Sequence, residues 1–300
     1  MPGGCDITCL QVITIIVNRM TKNIVVNAND DQYGAKQENI FLALDENGEV
    51  LGSIYLYPFF AYDTEPEHPH NIYLSFRVDD GGVLRNSIKD LLLKKAMQRA
   101  AEIKRETGQT KTRAYACFLA HQKSEIAYFL SRGFIHDEGM YLLECNNIHE
   151  LNCVEVPDGL SFRSWDMNTE AEQKKFIEMH RKIFPRHPYT IRNLCALMMR
   201  PGWQDYVCMD GITIAGNIMV YIQDENRKKG CIEDLFVQPQ WRRRGVAKRL
   251  LTMALRHFQD MEIMSVQLEM WSANKAAMNL YQQLGFEKIR ETEIALGRYV

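Results

Sequence analysis

One short stretch, Arg242-Arg243-Arg244-Gly245-Val246-Ala247, carries the residue types of an anion cradle. It lies between the apolar run CIEDLFV and the helical pattern AKRLLTMALRHF, so the glycine stands where a strand hands over to a helix. The first amides of a helix have no intrahelical acceptor and point outward, and the aligned peptide dipoles add partial positive charge there. Gly245 and Ala247 let a pyrophosphate approach the backbone closely, and the arginines supply charge-assisted donors. The bare R-x-x-G-x-A pattern also describes an ordinary helix start with a solvated basic face. Its context favours the cradle: it follows a strand, opens an amphipathic helix, and precedes a second motif, NKAAMNLYQQLGF.

The elements that must position these residues occur twice. SEIAYFLSRGFIHDEGMYLLE in the first half parallels KAAMNLYQQLGFEKIRETEIAL in the second. Each reads as a helix that stops at Gly-Phe and enters a strand, with Gly133 and Gly285 at the left-handed cap position; their offset, 285 − 133, is 152 residues. FLALDENGEVLGSIYLY and YVCMDGITIAGNIMVYI each read strand, turn, strand, with Asn47-Gly48 and Asp210-Gly211 as turns. NIYLSFRVDD parallels GCIEDLFVQP, and each leads into a helical pattern; in the second, Ala247, Leu250, Leu251, Ala254, Leu255 and Phe258 recur at helical steps. The chain therefore reads as two α/β domains, residues 1–152 and 153–300, with a turn at Pro157-Asp158-Gly159 near the join.

Composition agrees with this. The 300 residues are 46% apolar and 25% charged, and 36 basic against 38 acidic side chains leave a net charge of −2. Such a balance argues against a nucleic-acid or membrane coat. The best candidate for a span, VITIIV at residues 12–17, is too short to cross a bilayer and reads as a strand. The eight cysteines, Cys5, Cys9, Cys117, Cys145, Cys153, Cys195, Cys208 and Cys231, form no C-x-x-C and no zinc spacing. A reduced, cytoplasmic protein without a metal is expected.

The two motifs together resemble the GNAT superfamily of acyl-CoA-dependent N-acyltransferases. Arg242, Arg243, Arg244, Gly245, Val246 and Ala247 look like its pyrophosphate loop. Asn274, Ala277, Tyr281 and Gly285-Phe286 look like its late helix, N-x-x-A-x-x-x-Y-x-x-x-G-F. The resemblance covers the second half well and the first weakly. It implies a mixed, mostly antiparallel sheet with helices on both faces and a splayed central pair of parallel strands, here CIEDLFV and SVQLEMW. Acetyl-CoA would lie in that gap, with the backbone of Leu235, Phe236 and Val237 along the pantetheine arm, Asn274 near its amides and Tyr281 near the sulfur. Tyr281 would act as acid toward the leaving thiolate. An acceptor ammonium with a pKa near 10.4 must lose a proton first, and Glu233 or Glu269 would take it, directly or through water. The implied activity is transfer of an acetyl group to a primary amine, a small molecule rather than a protein N-terminus. A non-catalytic acyl-CoA sensor is the alternative.

The first half departs from the pattern. At the 152-residue offset Phe129 replaces Tyr281, Cys117 replaces Glu269 and Gln122 replaces Asn274, and Asp79 and Asp80 stand in the loop region. Phenylalanine cannot protonate a thiolate, so this copy is expected to be a degenerate, non-catalytic GNAT-like domain, as in tandem proteins of mycothiol synthase-like architecture. Acceptor choice in the family comes from the first helices of the domain. Here they hold His180, Arg181, Lys182, Arg186, His187, Tyr189 and Trp203, which suit either a pocket wall or a solvated face; either histidine could serve as a base, though no motif supports it. His68 and His70 show no third metal ligand. The acceptor and the oligomeric state, a homodimer among the candidates, stay open.

Overall fold

A computed structural model describes residues 13–17, 20–25, 36–45, 47–59, 69–78, 85–146, 148, 154–155, 158–184, 189–223 and 229–300. Cys5, Cys9, His68, Asp79, Asp80, Cys153, Pro157, Arg186 and His187 lie outside them. The chain divides into two compact units, Met1–Glu138 with Glu293–Val300, and Gly139–Thr292.

In the first unit the strands are β1 (Ile13–Val17), β2 (Met20–Val25), β3 (Ile40–Leu44), β4 (Val50–Phe59) and β5 (His70–Val78). Helix α1 (Arg85–Thr107), β6 (Thr112–Leu119) and α2 (Lys123–Leu130) follow. The strands pair in sequence order, antiparallel except for the parallel β5–β6 pair. The Asn47-Gly48 turn forms as expected: the Asp45 carboxylate accepts from the amides of Asn47 and Glu49, both at 2.9 Å, and Gly48 takes φ +83°. Strand alternation sends Phe41, Ala43, Ile54 and Leu56 into a core with α1 and α2, and Ile40, Leu42 and Tyr55 to the opposite face. Helix α1 meets that core with Ile88, Leu92, Ala96, Ala100 and Ile103, at steps of three and four.

The second unit contains most of β7 (Ile135–Cys145), then β8 (Leu160–Ser164), α3 (Glu170–Ile183), α4 (Ile191–Met198), β9 (Gln204–Asp210) and β10 (Thr213–Ile222). It continues with β11 (Lys229–Val237), α5 (Val246–Asp260), β12 (Ser265–Trp271), α6 (Lys275–Gln282) and the start of β13 (Glu287–Tyr299). Its strand order is β8-β9-β10-β11-β12-β7, with β11–β12 parallel and the other pairs antiparallel. Helices cover both faces. Leu250, Leu251, Ala254, Leu255 and Phe258 of α5 join Tyr281 and Phe286 in one core, while Phe176, Ile177, Leu194 and Leu197 of α3 and α4 join Val207, Met219 and Phe236 in the other. Two glycines admit α5 to the sheet. A Cβ on Gly230 would stand 2.5–2.7 Å from three ring atoms of Phe258, and one on Gly216 would stand 2.9 Å from the Phe236 carbonyl.

The units differ from the repeat boundary at residues 152 and 153. The last strand of each repeat is laid into the sheet of the other unit: Met140–Cys145 pairs with β12, and Glu293–Tyr299 pairs with β6. The repeat follows sequence likeness, whereas the units follow hydrogen bonding. Among the described residues no helix is long and apolar enough to cross a membrane.

Candidate functional site

The β11–β12 ladder is short. Its rungs run from Lys229–Ser265 to Ile232–Leu268, and the strands then part, although β11 continues to Val237 and β12 to Trp271. Each is held by its outer neighbour. Residues Asp234–Val237 stay paired with β10, and Glu269–Trp271 stay paired with β7. This is the splay expected of CIEDLFV and SVQLEMW. Glu233 and Glu269 are the first residues past the last rung, so both carboxylates stand at the opening of the fork, and both are exposed. A β-bulge adds to this: Met219 opposes Asp234 and Val220 opposes Ile232, leaving Glu233 with no residue opposite. The bulge also resets the alternation, so that Ile232 faces the α5 core, whereas Asp234 meets His180 of α3 and Phe236 enters the core with α3 and α4. Leu235 and Val237 then face α5 along the arm of the fork.

Past the fork the chain turns through Pro239–Trp241, where the Trp241 indole is buried and donates to Asp210 at 3.0 Å. Arg242 donates from Nε to the Val237 carbonyl at 3.0 Å, which closes the loop on the strand end. Arg243 and Gly245 adopt left-handed conformations, φ +59° and +78°, on either side of Arg244. Such alternation turns successive amides toward one side and makes a concave anion nest. Helices α3, α4 and α6 are capped by the side chains of Thr169, Thr190 and Asn274. Helix α5 begins at Gly245 without a side-chain cap, and its first turn holds no acidic residue. Its first intrahelical bond runs from the Arg249 amide to the Gly245 carbonyl at 2.9 Å, so the amides of Val246, Ala247 and Lys248 precede any i−4 acceptor. Arg243 and Arg244 are exposed beside them. These features fit a pyrophosphate.

Asn274 has a local task. Its Oδ1 accepts from the Ala277 amide at 3.1 Å and starts α6, which carries Tyr281 two turns on. Gly285, at φ +84°, ends the helix, and the Phe286 amide returns to the Tyr281 carbonyl at 3.1 Å. Tyr281 is only 7% exposed, with its ring 5.8 Å from Phe286. Burial pushes its phenol up to about 12, and the Asp234 carboxylate adds to the effect. At neutral pH the phenol therefore holds its proton and can donate it in a hydrogen bond.

The acceptor side contains residues that sequence reasoning named without a role. Tyr189 donates to Glu233 Oε1 at 3.4 Å. Crowding by protein raises the Glu233 carboxyl above its ordinary range, and the adjoining Asp234 carboxylate and Glu269 raise it further. His180 does not reach the surface: it is 4% exposed and stands with Nε2 3.2 Å from Asp234 Oδ2. Asp205 and Asp234 were missed. Their signal, an acidic residue within a strand pattern, is weak alone, because one exposed face produces the same pattern.

Residues 165–286 match the family model described as acetyltransferase (GNAT) family. That segment spans the fork, the α5 loop, Asn274 and Tyr281. This part of the chain belongs to the GNAT family. The matched family is one of acetyltransferases. No curated protein matches the chain. Among solved structures it is similar to a GCN5-related N-acetyltransferase from Sphaerobacter thermophilus, at 15% identity over 89% of this chain and 82% of that one, with a TM-score of 0.49. It is also similar to a tandem GNAT protein from the clavulanic acid biosynthesis pathway, at 15% identity, coverage of 87% and 82%, and a TM-score of 0.46. A third, from Kribbella flavida, is 14% identical with 86% of each chain covered and a TM-score of 0.40.

The first unit has a parallel strand pair that parts in the same way, with aromatic rings beyond its last rung. The β5–β6 ladder runs from His70–Thr112 to Tyr73–Tyr115, after which the strands part. Phe76 and Phe118 each stand three residues past the last rung. Phe129 of α2, at the position of Tyr281, is fully buried with its ring 5.5 Å from Phe76 and 5.0 Å from Phe118. At the start of α1, Arg85 and the buried Lys89 contact the two oxygens of Glu125 at 2.7 and 2.5 Å, and Lys89 lies 3.8 Å over the Tyr128 ring. The basic groups of this helix start are thus matched by a carboxylate of the same unit.

Proposed function

We propose that the second unit binds acetyl-CoA along the β11 arm of the fork and transfers the acetyl group to the primary amine of a small, cationic acceptor by direct attack. The observation that carries this reading is the meeting of Glu233 and Glu269 at the fork opening, between an uncapped α5 start and a buried Tyr281. Arg243, Arg244 and the amides of Gly245, Val246 and Ala247 would hold the pyrophosphate, with Arg242 shaping the loop. Leu235, Phe236 and Val237 offer strand backbone that makes no rung with β12, and Asn274 and Ala277 line the approach from α6. The bound thioester supplies the electrophilic carbonyl.

Glu233 is the better base of the two glutamates. A carboxyl raised toward neutrality accepts a proton from an ammonium with a smaller free-energy gap than an ordinary one. The acceptor ammonium gives its proton to Glu233, its nitrogen bonds to the carbonyl carbon, and the carbon–sulfur bond breaks. Tyr281 donates a hydrogen bond to the departing thiolate. Proton transfer from a phenol near 12 to a thiolate whose acid lies near 8.5 is uphill, so Tyr281 stabilises the thiolate by hydrogen bonding; the second proton, lost by the nitrogen as the amide forms, protonates the thiolate, and Glu233 releases the first to water. Glu269 adds a second negative charge that favours a cationic acceptor. Tyr189, reaching to Glu233, favours a compact acceptor over an extended peptide. The first unit is non-catalytic, because Phe129 stands at the position of Tyr281 and has no proton to share with a thiolate.

Native mass spectrometry with acetyl-CoA tests the assignment. One bound molecule per chain is expected, lost when Arg243 and Arg244 are both changed to glutamate. A panel of diamines, amino sugars and amino acids with detection of released CoA then tests transfer. Two molecules per chain would overturn the reading of the first unit. Binding without transfer to any amine would reduce the second unit to an acyl-CoA-binding module.

A further inference from the structure

Behind the fork, on the face covered by α3 and α4, a polar cluster is set into an apolar core. Asp205, Met219 and Asp234 form one row across β9, β10 and β11. Asn217 donates to Asp205, and both are fully buried. His180 descends from α3 to place Nε2 3.2 Å from Asp234 Oδ2, among the rings of Phe176 and Phe184. Its own ring packs edge-on against Tyr189 at 4.6 Å, and the Tyr189 hydroxyl reaches Glu233 at 3.4 Å. Two routes therefore lead from one buried histidine to the adjacent residues 233 and 234. Among the described residues neither His180 Nδ1 nor Asp234 Oδ2 makes a hydrogen bond, so the imidazole and the carboxylate meet by proximity at 3.2 Å and not through a formed hydrogen bond. Apolar side chains would fill this core without the desolvation of an ionisable pair. The bulge explains what the cluster can do. Glu233 has no opposing residue in the β10–β11 ladder, so side-chain contacts rather than strand pairing must fix its place.

We propose that His180 is a positioning residue of the acceptor site: paired with Asp234 and packed on Tyr189, it sets where Glu233 stands and how much negative charge lies behind it. The inference rests on Glu233 being the base. Glu233 is faced by Tyr189 from the segment before α4, by Asp234 beside it, by Glu269 from β12 and by Arg200 after α4. Tyr221 and Cys231 lie within its field, and Asp205 and His180 act on it through Asp234. Asp234 and Glu269 favour the protonated form of Glu233, and the Tyr189 hydroxyl and Arg200 favour the ionised form. An imidazole N–H 3.2 Å from Asp234 Oδ2 offsets part of the field that this carboxylate exerts on Glu233. Its loss leaves that carboxylate uncompensated beside the base.

The test reads the Glu233 carboxyl directly and needs no known acceptor. The chain is labelled with carboxyl-13C glutamate and titrated by NMR, with Glu233→Gln identifying the resonance. His180→Phe keeps a ring but removes the donor, and the Glu233 midpoint is expected to rise by about one unit, a tenfold change in proton affinity. His180→Gln restores an N–H donor and is expected to recover part of the shift. Acetyl-CoA binding by native mass spectrometry stays unchanged in both. A folded His180→Phe chain with the wild-type midpoint would overturn the proposal and leave His180 as core packing. Should that variant not fold, His180→Met, which fills the site without a donor, carries the test: its midpoint is expected to rise in the same way, and an unshifted midpoint in it overturns the proposal equally. Turnover of Glu233→Gln on the amine panel separates the two levels. Full turnover there removes the base reading and the inference with it, whereas an inactive Glu233→Gln with no shift in the His180 variants removes the inference alone.

Discussion

Replacing Gly245 by alanine probes the proposed phosphate cradle with the smallest change of atoms. Gly245 sits at φ +78° as the first residue of the α5 cap. An L-residue with a Cβ loses about 1–2 kcal/mol in that conformation. Two responses are open to the variant. If the loop keeps its shape, the strain remains in the folded state, and a domain of this size loses about 2–4 °C in Tm for each kcal/mol. If the loop relaxes to negative φ, the Val246 and Ala247 amides turn away, and roughly tenfold of acetyl-CoA affinity is lost for every 1.4 kcal/mol needed to restore them. Isothermal titration with acetyl-CoA, beside thermal unfolding of the unliganded chain, reads both. The expected outcome is a Kd raised about tenfold with a modest fall in Tm. Arg243→Gly supplies the opposite sign: it relieves a non-glycine residue at φ +59° and raises Tm, yet weakens binding because an exposed guanidinium is removed. A folded Gly245→Ala chain that keeps both the wild-type Tm and the wild-type affinity for acetyl-CoA would refute the claim that the α5 start holds the pyrophosphate.

Other perturbations have definite signs. Tyr281→Phe is expected to lower turnover about ten- to a hundredfold while leaving acetyl-CoA affinity near wild type. Because burial holds the phenol near 12, no loss of activity below pH 10 should trace to its ionisation; kcat and Kd against pH in the two proteins check this. Asp205 is fully buried, and burial raises its carboxyl well above the ordinary value. The folded state binds its proton more tightly than the unfolded chain. The stability linked to that proton is therefore present at low pH and lost as pH rises toward the folded value. Asp205→Asn, which mimics the protonated form, should raise Tm by a few degrees at neutral pH and flatten its pH dependence. Expression of residues 153–300 alone should give an aggregating product, since β12 loses its partner strand and the core loses Leu143, Cys145 and Ile148. Residues 139–292 should fold, as circular dichroism and a cooperative melt would show.

Several features were legible from neighbouring residues alone. The turns at Asn47-Gly48 and Asp210-Gly211 form, and Gly133 and Gly285 take the left-handed conformation where their helices end. The apolar spacing in α5 predicts its buried face, apart from Ala247, which is partly covered while Val246 is buried instead. The phosphate-loop and late-helix motifs were likewise complete in the linear chain. Each depends on backbone preferences or side-chain periodicity over a few residues, and such information is local.

What tertiary structure decided concerns partners distant in the chain. No local pattern states that β11 and β12 separate after four rungs, because that depends on β10 and β7 holding their outer edges. The bulge that isolates Glu233 arises from a mismatch with β10 and is invisible in CIEDLFV itself. Phe129 reads in sequence as the loss of an acid; only the fold shows its ring packed against both Phe76 and Phe118. The repeat marks where likeness begins and ends, yet hydrogen bonding lays each repeat's last strand in the other unit. His180 meets Asp234 across 54 positions of chain, the difference of their numbers. Local sequence determines how a segment bends and which face it buries. Only the assembled sheet decides which carboxylates share a fork and which imidazole stands behind them.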